Sequence, residues 1–260
     1  MTTEMDVMRP RGAYGFDEPL VPLLLGGAGV LWLILGILLL TAPGVPAPGI
    51  LMLLLALWFL GLAGWYVYVT RRGKFMVWGR VLRELDLRGD EQLLDLGCGR
   101  GAVLLQAAKL LPRGRAVGVD LWKTSEQSGN ATATTERNAG LEGVRDRVEL
   151  RTADMTQLPF EDSSFDVVVS SIAVHNIAGP AGRARAIEEA ARVLRPGGRL
   201  AIADIRHARE YESTLRQLGW QVLTVRSLGP GMWFGLFNGT ALVRGTKPPS
   251  GPGAVPEPPQ

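Results

Sequence analysis

From Pro19 to Thr70, 52 consecutive residues contain no Asp, Glu, Lys, Arg or His. A soluble fold turns one side of nearly every helix or strand toward water, where charged residues collect, so a run of this length calls for a solvent other than water. Leu20 to Ala42 supplies 23 uncharged, mostly aliphatic residues. As a helix they would reach roughly 35 Å, enough for the hydrocarbon core of a bilayer. Gly49 to Val69 supplies a second run of 21 residues, and "TAPGVPAP" between them has three prolines that cannot continue a helix. The expected structure is a transmembrane hairpin over residues 19–70, with helices at about 20–42 and 49–69. It lies between an N-terminal segment, 1–18, and a charged region, 71–245.

Gly26, Gly29 and Gly36 share an arc of the first helix, and Gly61 and Gly64 lie three apart on the second, so both sets predict close helix packing. Trp65, Tyr66 and Tyr68 stand where an interfacial aromatic belt is expected. A cleaved signal peptide does not fit a first run this long that begins after "DEP" and is followed by another. Arg71, Arg72, Lys74, Arg80 and Arg83 follow the second helix, while the tip has no basic residue. The positive-inside rule then places both termini and the charged domain in the cytoplasm and makes the chain a two-helix cell-membrane protein.

The net charge of +3 on 260 residues is small and spread along the chain. Nothing forms a basic stripe, so no nucleic-acid partner is expected. Cys98 is the single cysteine, which rules out an intramolecular disulfide or a multi-cysteine metal site, and no metal is expected. Oligomeric state is not written in these patterns.

Beyond Arg71 the hydrophobic period changes repeatedly. Lys74 to Leu87 has a helical pattern through Phe75, Val77, Trp78, Val81, Leu82 and Leu85. "EQLLDLG" reads as a strand, "AVLLQAAKLLP" as a helix and "RAVGVD" as a second strand. A polar helix over Ser125 to Ala139 follows, then strands "RVELRTAD" and "FDVVVSS", the helix "AGRARAIEEAARVL" stopped by "RPGG", and the strand "RLAIADI". "GWQVLTV" and "GTALVRG" are two more strands with no helix between them, expected to be antiparallel. The fold class is α/β, a doubly wound and mostly parallel seven-stranded sheet behind two transmembrane helices. The tail, 246–260, is too rich in Pro and Gly to fold.

The loop "LLDLGCGRG" leaves the first strand where open α/β sheets bind ligands. Its spacing is G-x-G-x-G, which is neither the dinucleotide G-x-G-x-x-G nor a P-loop with its lysine. Asp95 beside it repels a pyrophosphate and attracts an ammonium or sulfonium cation. Asp120, ending the second strand, is placed to accept from a ribose diol. Cys98 reads as a small filler in this loop, since nothing nearby in sequence would activate it.

Taken in order and spacing, "LLDLGCGRG", "GVD", "TADM", "FDVVVSS" and "RVLRPGGRLAIADI" resemble the class I S-adenosylmethionine-dependent methyltransferases, especially the small-molecule branch that includes quinone and sterol enzymes. The resemblance covers residues 74–244 and implies a Rossmann-like methyltransferase fold with S-adenosyl-L-methionine as cofactor. It implies that Asp95 and the loop at Gly97, Cys98, Gly99 and Gly101 face the methionine part, and that Asp120 holds the ribose with Leu121 beside the adenine. Asp154 would accept from the adenine amino group, Met155 would pack on the ring, and Ser170 would lie near the transferred methyl.

Methyl transfer needs positioning first and a base only if the acceptor loses a proton. His175, in "SSIAVHNI", is the candidate base, and His207 is a weaker one. The expected acceptor is small and lipophilic, a quinone, isoprenoid or lipid, because the domain follows the hairpin directly. "GPGMWFGLFNG", residues 229–239, is either an apolar lid or a buried hairpin. Arsenite methylation is disfavoured by the lone cysteine. Two readings of other kinds remain: a non-catalytic cofactor-binding module that regulates or tethers a membrane partner, and a nicotinamide dehydrogenase.

Overall fold

A computed structural model describes residues 10–16, 18–42, 46–123, 129–234 and 239–249. The expectations for 1–9, the hairpin tip, the start of the polar helix, the centre of 229–239 and most of the tail lie outside these residues. The described helices and strands begin with α1 (Leu20–Thr41) and α2 (Pro46–Tyr68), followed by a π-helical turn (Val69–Gly73) and α3 (Lys74–Glu84). Next come β1 (Gln92–Leu96), α4 (Leu104–Lys109), β2 (Arg115–Asp120), α5 (Thr132–Glu142), β3 (Val148–Thr152) and β4 (Phe165–Ser171). The chain continues through α6 (Gly179–Val193), β5 (Leu194–Asp204), α7 (Ala208–Gln217), β6 (Leu223–Ser227) and β7 (Ala241–Thr246).

The sheet has seven strands in the order β3-β2-β1-β4-β5-β7-β6. β1 to β5 are parallel, and β7 runs antiparallel to both β5 and β6. The expected architecture and the reversed final pair are both present. Along β1, Leu93 packs into a core with α3, α4 and Tyr14, while Leu94 and Leu96 pack into the opposite core with Ile187, Ala190, Tyr211 and Leu215. Both faces are covered, which is why the strand is apolar throughout. Each leucine buried fully in this way stabilises the fold by about 1.5–3 kcal/mol.

Three boundaries differ from the sequence reading. β5 begins at Leu194 and runs through "RPGG", with Leu194 opposite Phe165. Pro196 and Gly197 therefore lie in an irregular strand start, and Leu194 is not on the helix. α7 was not expected: "AREYESTLRQ" is polar except for the face through Tyr211, Thr214 and Leu215, which is buried. The last strand pair starts later than "GWQVLTV" suggests, because Trp220 packs as core ahead of β6.

α1 and α2 form a hairpin whose packing is narrower than five glycines imply. Gly29 and Gly36 lie against Leu60 and Leu53, and Gly49 lies against Leu40; a Cβ on any of them would meet side chain at 2.7–2.8 Å. Gly26, Gly61 and Gly64 have nothing within 4 Å and make no such contact. Both helices are long and apolar enough to cross a membrane, and only 11% of the most apolar window of each is buried. That low burial separates them from core helices of a soluble domain.

The second helix does not end at residue 69. The helical run Pro46–Glu84 is 39 residues long and passes from α2 into α3 through the π turn. At this turn a Cβ on Gly73 would lie 2.4 Å from Gly231 O, so the absence of a side chain lets the junction rest on the β6–β7 connection. The segment before the hairpin is anchored as well. Arg11 N–H, Gly12 N–H and the Tyr14 hydroxyl all donate to Glu142 Oε1 at 2.7–2.9 Å, and Lys109 Nζ lies 2.6 Å from Glu142 Oε2. Ala13 N–H donates to Asn138 Oδ1, and the Tyr14 ring meets Phe75 edge-on at 4.9 Å. Both ends of the hairpin are thereby tied to the α/β domain.

Candidate functional site

In the order β3-β2-β1-β4, the chain direction of winding reverses between β1 and β4, and a cavity of about 650 Å³ opens at the strand ends there. This is the position that doubly wound sheets reserve for ligands, and the volume lies within the roughly 300–1,000 Å³ of small-molecule sites. Asp95, Gly97, Cys98, Gly99, Asp120, Leu121, Asp154, Met155 and His175 all line it. Nine of the residues singled out in the sequence therefore meet in one place.

Two do not. Ser170 is buried, and its hydroxyl donates to Leu96 O at 2.8 Å, which ties β4 to β1; the neighbouring Ser171 lines the cavity instead. The alternation of a strand makes a one-residue difference a change of face. Gly101 is also outside the lining. With φ +85° and a would-be Cβ at 2.9–3.0 Å from Leu105 and Thr135, it is a glycine for packing against α4 and α5. Gly97 has φ +70° and would place a Cβ 2.2 Å from that of Ala173, so no other residue fits this turn.

The loop is held by acids and by α5. Asp120 Oδ2 accepts from Gly99 N–H at 2.8 Å, and Oδ1 accepts from Trp122 N–H at 2.6 Å and Asn130 Nδ2 at 3.2 Å. A carboxylate has about four lone-pair sites, so Asp120 retains acceptor capacity for a diol while shaping the loop. Thr135 Oγ1 donates to Gly99 O, and Asn138 Nδ2 donates to Arg100 O. Asp154 Oδ1 accepts from the backbone and hydroxyl of Thr156, closing its own turn at the rim. Burial pushes the Cys98 thiol up, in keeping with a filler packed over Gly118.

Asp95 is different. Both of its carboxylate oxygens are buried without a well-formed hydrogen bond; burial and the charge of Asp120 push its pKa well above the usual carboxylate range, and the nearby Leu104 N–H only partly offsets them. A buried acid so weakly partnered that lines a cavity is suited to a cationic ligand group. S-adenosylmethionine carries an ammonium and a sulfonium, and the residues present fit it: the buried acid, the loop without Cβ atoms, and the acid at the end of β2.

The far wall was not legible in the motifs. Tyr66 of α2, Lys74 and Trp78 of α3, and Phe234 line the same cavity. Tyr66 is 3% exposed and meets Phe234 edge-on at 6.0 Å, so it packs inward, whereas Trp65 and Tyr68 pair with each other on the outside. Trp78 Nε1 donates to Ser171 Oγ at 2.8 Å, joining this wall to the end of β4. His207 caps the start of α7 and pairs with Glu210 at 2.7 Å.

Residues 94–202 match the family model described as "Methyltransferase domain". Together with the sheet and cavity, this gives residues 94–202 the likeness of a class I S-adenosylmethionine-dependent methyltransferase domain, whose site residues fit S-adenosylmethionine as cofactor. The chain is 36% identical over 125 residues to 27-O-demethylrifamycin SV methyltransferase of Amycolatopsis mediterranei, covering 48% of this chain and 42% of that protein. It is 32% identical over 133 residues to demethylmenaquinone methyltransferase of Symbiobacterium thermophilum, covering 50% and 49%. The chain spans between about a quarter and a half of the length of the curated relatives it matches. In fold it is similar to geranyl diphosphate methyltransferase in complex with GPP and sinefungin, with a TM-score of 0.53 and 19% identity over 65% of this chain and 77% of that one.

Proposed function

We propose that this protein is a membrane-anchored methyltransferase that moves a methyl group from S-adenosylmethionine to a small lipophilic acceptor. One observation carries the reading: the apolar helix α2 runs unbroken into α3, and residues from both line the same cavity as Asp95 and Asp120. An acceptor dissolved in a bilayer around the hairpin has a short path to the cofactor acids. The relatives point the same way, since their names describe a menaquinone precursor and a rifamycin, and a structural neighbour acts on geranyl diphosphate.

S-adenosylmethionine, when bound, supplies an electrophilic methyl on a sulfonium. The chain's own residues then have four tasks. Asp95 and the Gly97–Gly99 backbone hold the charged end, Asp120 and Leu121 the ribose and adenine, and Asp154 with Met155 the far edge of the ring. Tyr66, Trp78 and Phe234 exclude water from the acceptor side and orient it in line, which is the main contribution a protein makes to such a displacement. The basic cluster after α2 supports a cytoplasmic domain with the hairpin tip outside.

The test is incubation of the full chain with methyl-labelled S-adenosylmethionine, host membranes and soluble extract. Label in a discrete apolar product of the organic phase is expected. Label only in water-soluble products would overturn the lipophilic acceptor. Tight cofactor binding without transfer in any fraction would favour the non-catalytic module.

A further inference from the structure

His175 stands in a short 3-10 turn, Val174–Asn176, just after β4. The next strand of the sheet, β5, ends at Asp204, and the register that sets Ser171 opposite Ala203 brings the two strand ends together. His175 Nδ1 is buried and lies 2.6 Å from Asp204 Oδ1, a close pairing that does not have the geometry of a hydrogen bond. The His175 side chain is nevertheless 15% exposed and lines the cavity, so its open edge is the one that carries Nε2.

Asp204 is 1% exposed and tightly held. Its Oδ1 accepts from Ile205 N–H at 2.8 Å, and its Oδ2 accepts from His175 N–H and from the Tyr211 hydroxyl, both at 3.0 Å. Burial, and then the charge of Asp204, push the Tyr211 phenol up, so it remains a donor at any physiological pH. A carboxylate fixed by two backbone donors and a phenol this close to Nδ1 favours the tautomer with the proton on Nδ1, which a small turn of the ring would aim at Asp204, and leaves Nε2 as the acceptor.

We propose that Asp204 and Tyr211 are positioning residues that hold His175 as a general base in this cavity, and that the acceptor is therefore methylated at an atom that loses a proton, an acidic hydroxyl such as a phenol or enol. The inference rests on the methyl-transfer reading above and narrows its substrate class. The acceptor gives one proton to His175 Nε2 and gains one methyl. The sulfonium becomes a neutral thioether as its C–S bond electrons stay on sulfur, and the positive charge ends on the imidazolium beside Asp204.

Other charges face the pair. Arg183 of α6 lies behind Tyr211 and is held by Glu210 at 2.8 Å and by Ile177 O. Arg206, Lys74 and Glu18 line the cavity in front. Asp204 is the carboxylate paired with the ring among the described residues.

The chain has two histidines, so ring-nitrogen NMR on the full protein in nanodiscs resolves both. In the wild type with cofactor bound, His175 is expected as the Nδ1–H tautomer. Asp204→Asn should lose that tautomer preference, and Tyr211→Phe should weaken it less. An unchanged His175 tautomer in Asp204→Asn, or the opposite tautomer in the wild type, would overturn the proposal without touching the methyl-transfer reading. In the labelling assay Asp204→Asn should lower the transfer rate, and His175→Gln should lose roughly 10²–10⁴-fold in rate while cofactor binding by equilibrium dialysis is kept. Full transfer by His175→Gln would equally overturn the proposal. If the wild type binds cofactor and transfers nothing, the methyl-transfer reading fails, and the tautomer still decides whether the positioning cluster exists.

Discussion

Leu57 in the hairpin is 71% exposed, and Leu93 in β1 is 0% exposed. The two are the same residue type in two halves of one protein, and they differ in what surrounds them. The α/β domain hides its leucines in two cores on either side of a sheet. The hairpin displays them all round, with only its glycine-lined seam closed. A continuous helix crosses between the regimes: α2 shows Leu57 and Trp58 outward, and within a few turns α3 buries Trp78, Leu82 and Leu85. The change occurs at the π turn, which carries Arg71 and Arg72. Apolar content alone does not make a core.

The largest test of this contrast is the same substitution on both sides. Leu93→Arg should cost more than about 4 kcal/mol and leave no folded domain by circular dichroism, because a charge enters a closed core. Leu57→Arg should leave the domain's thermal transition in place but oppose membrane insertion by about 2.5–3.5 kcal/mol, read by carbonate extraction. Equal unfolding by both would abolish the distinction.

Next is Asp95, which the domain buries without a well-formed hydrogen bond. Asp95→Asn should weaken S-adenosylmethionine binding by about 2–5 kcal/mol in calorimetry. The same change should raise the melting temperature of the cofactor-free protein. The sign follows from the raised pKa: the folded state holds the Asp95 proton more tightly than the unfolded state, so stability from this group is lost as pH rises through that range, and the amide removes that loss. A cationic ligand reverses the preference. Cofactor affinity should therefore fall as pH drops through the raised Asp95 pKa.

A smaller effect is expected where the two regions are fastened. Burial by itself would raise Glu142, but hydrogen bonds from Lys109, Tyr14 and the Gly12 and Arg11 backbone outweigh it and hold the carboxyl below its usual range. A depressed acid contributes stability above its unfolded pKa and loses it as pH falls through the folded value, so the N-terminal clasp should loosen in acid. Glu142→Gln should cost about 1–3 kcal/mol and increase hydrogen exchange at residues 11–14 while sparing β1. The smallest change is Gly73→Ala, whose Cβ would meet Gly231 O. Loosening of the junction should appear as faster exchange around Pro230–Met232, with the sheet unchanged.

What could be read in advance follows a pattern. Seven strands, a mostly parallel doubly wound sheet and the reversed last pair were legible because apolar runs, strand-end acids and stop residues are local signals. Asp120 was found by its place at a strand end, and Asp204 has the same signature in "AIADI"; treating every strand-end acid alike would have found it. Tyr211 carried no such mark, since it belongs to a polar helix whose buried face is visible only against β5. Ser170 and Ser171 are indistinguishable until the pleat is known. The five hairpin glycines looked equivalent, and only packing showed which of them face the partner helix.

By itself, then, the sequence determined the uncharged run and its length, the alternation that makes a doubly wound sheet, and the acid-and-glycine loop at the end of β1. These depend on residues within a few positions of one another, where chain geometry leaves few choices. Tertiary structure decided that α2 and α3 are one helix, that Tyr66 and Phe234 share a cavity with Asp95, that residues 11–14 clasp Glu142, and that His175 meets Asp204 and Tyr211. Each of these joins residues far apart in the chain, and such partners are selected by the packing of the whole sheet and its helices, which no local pattern carries.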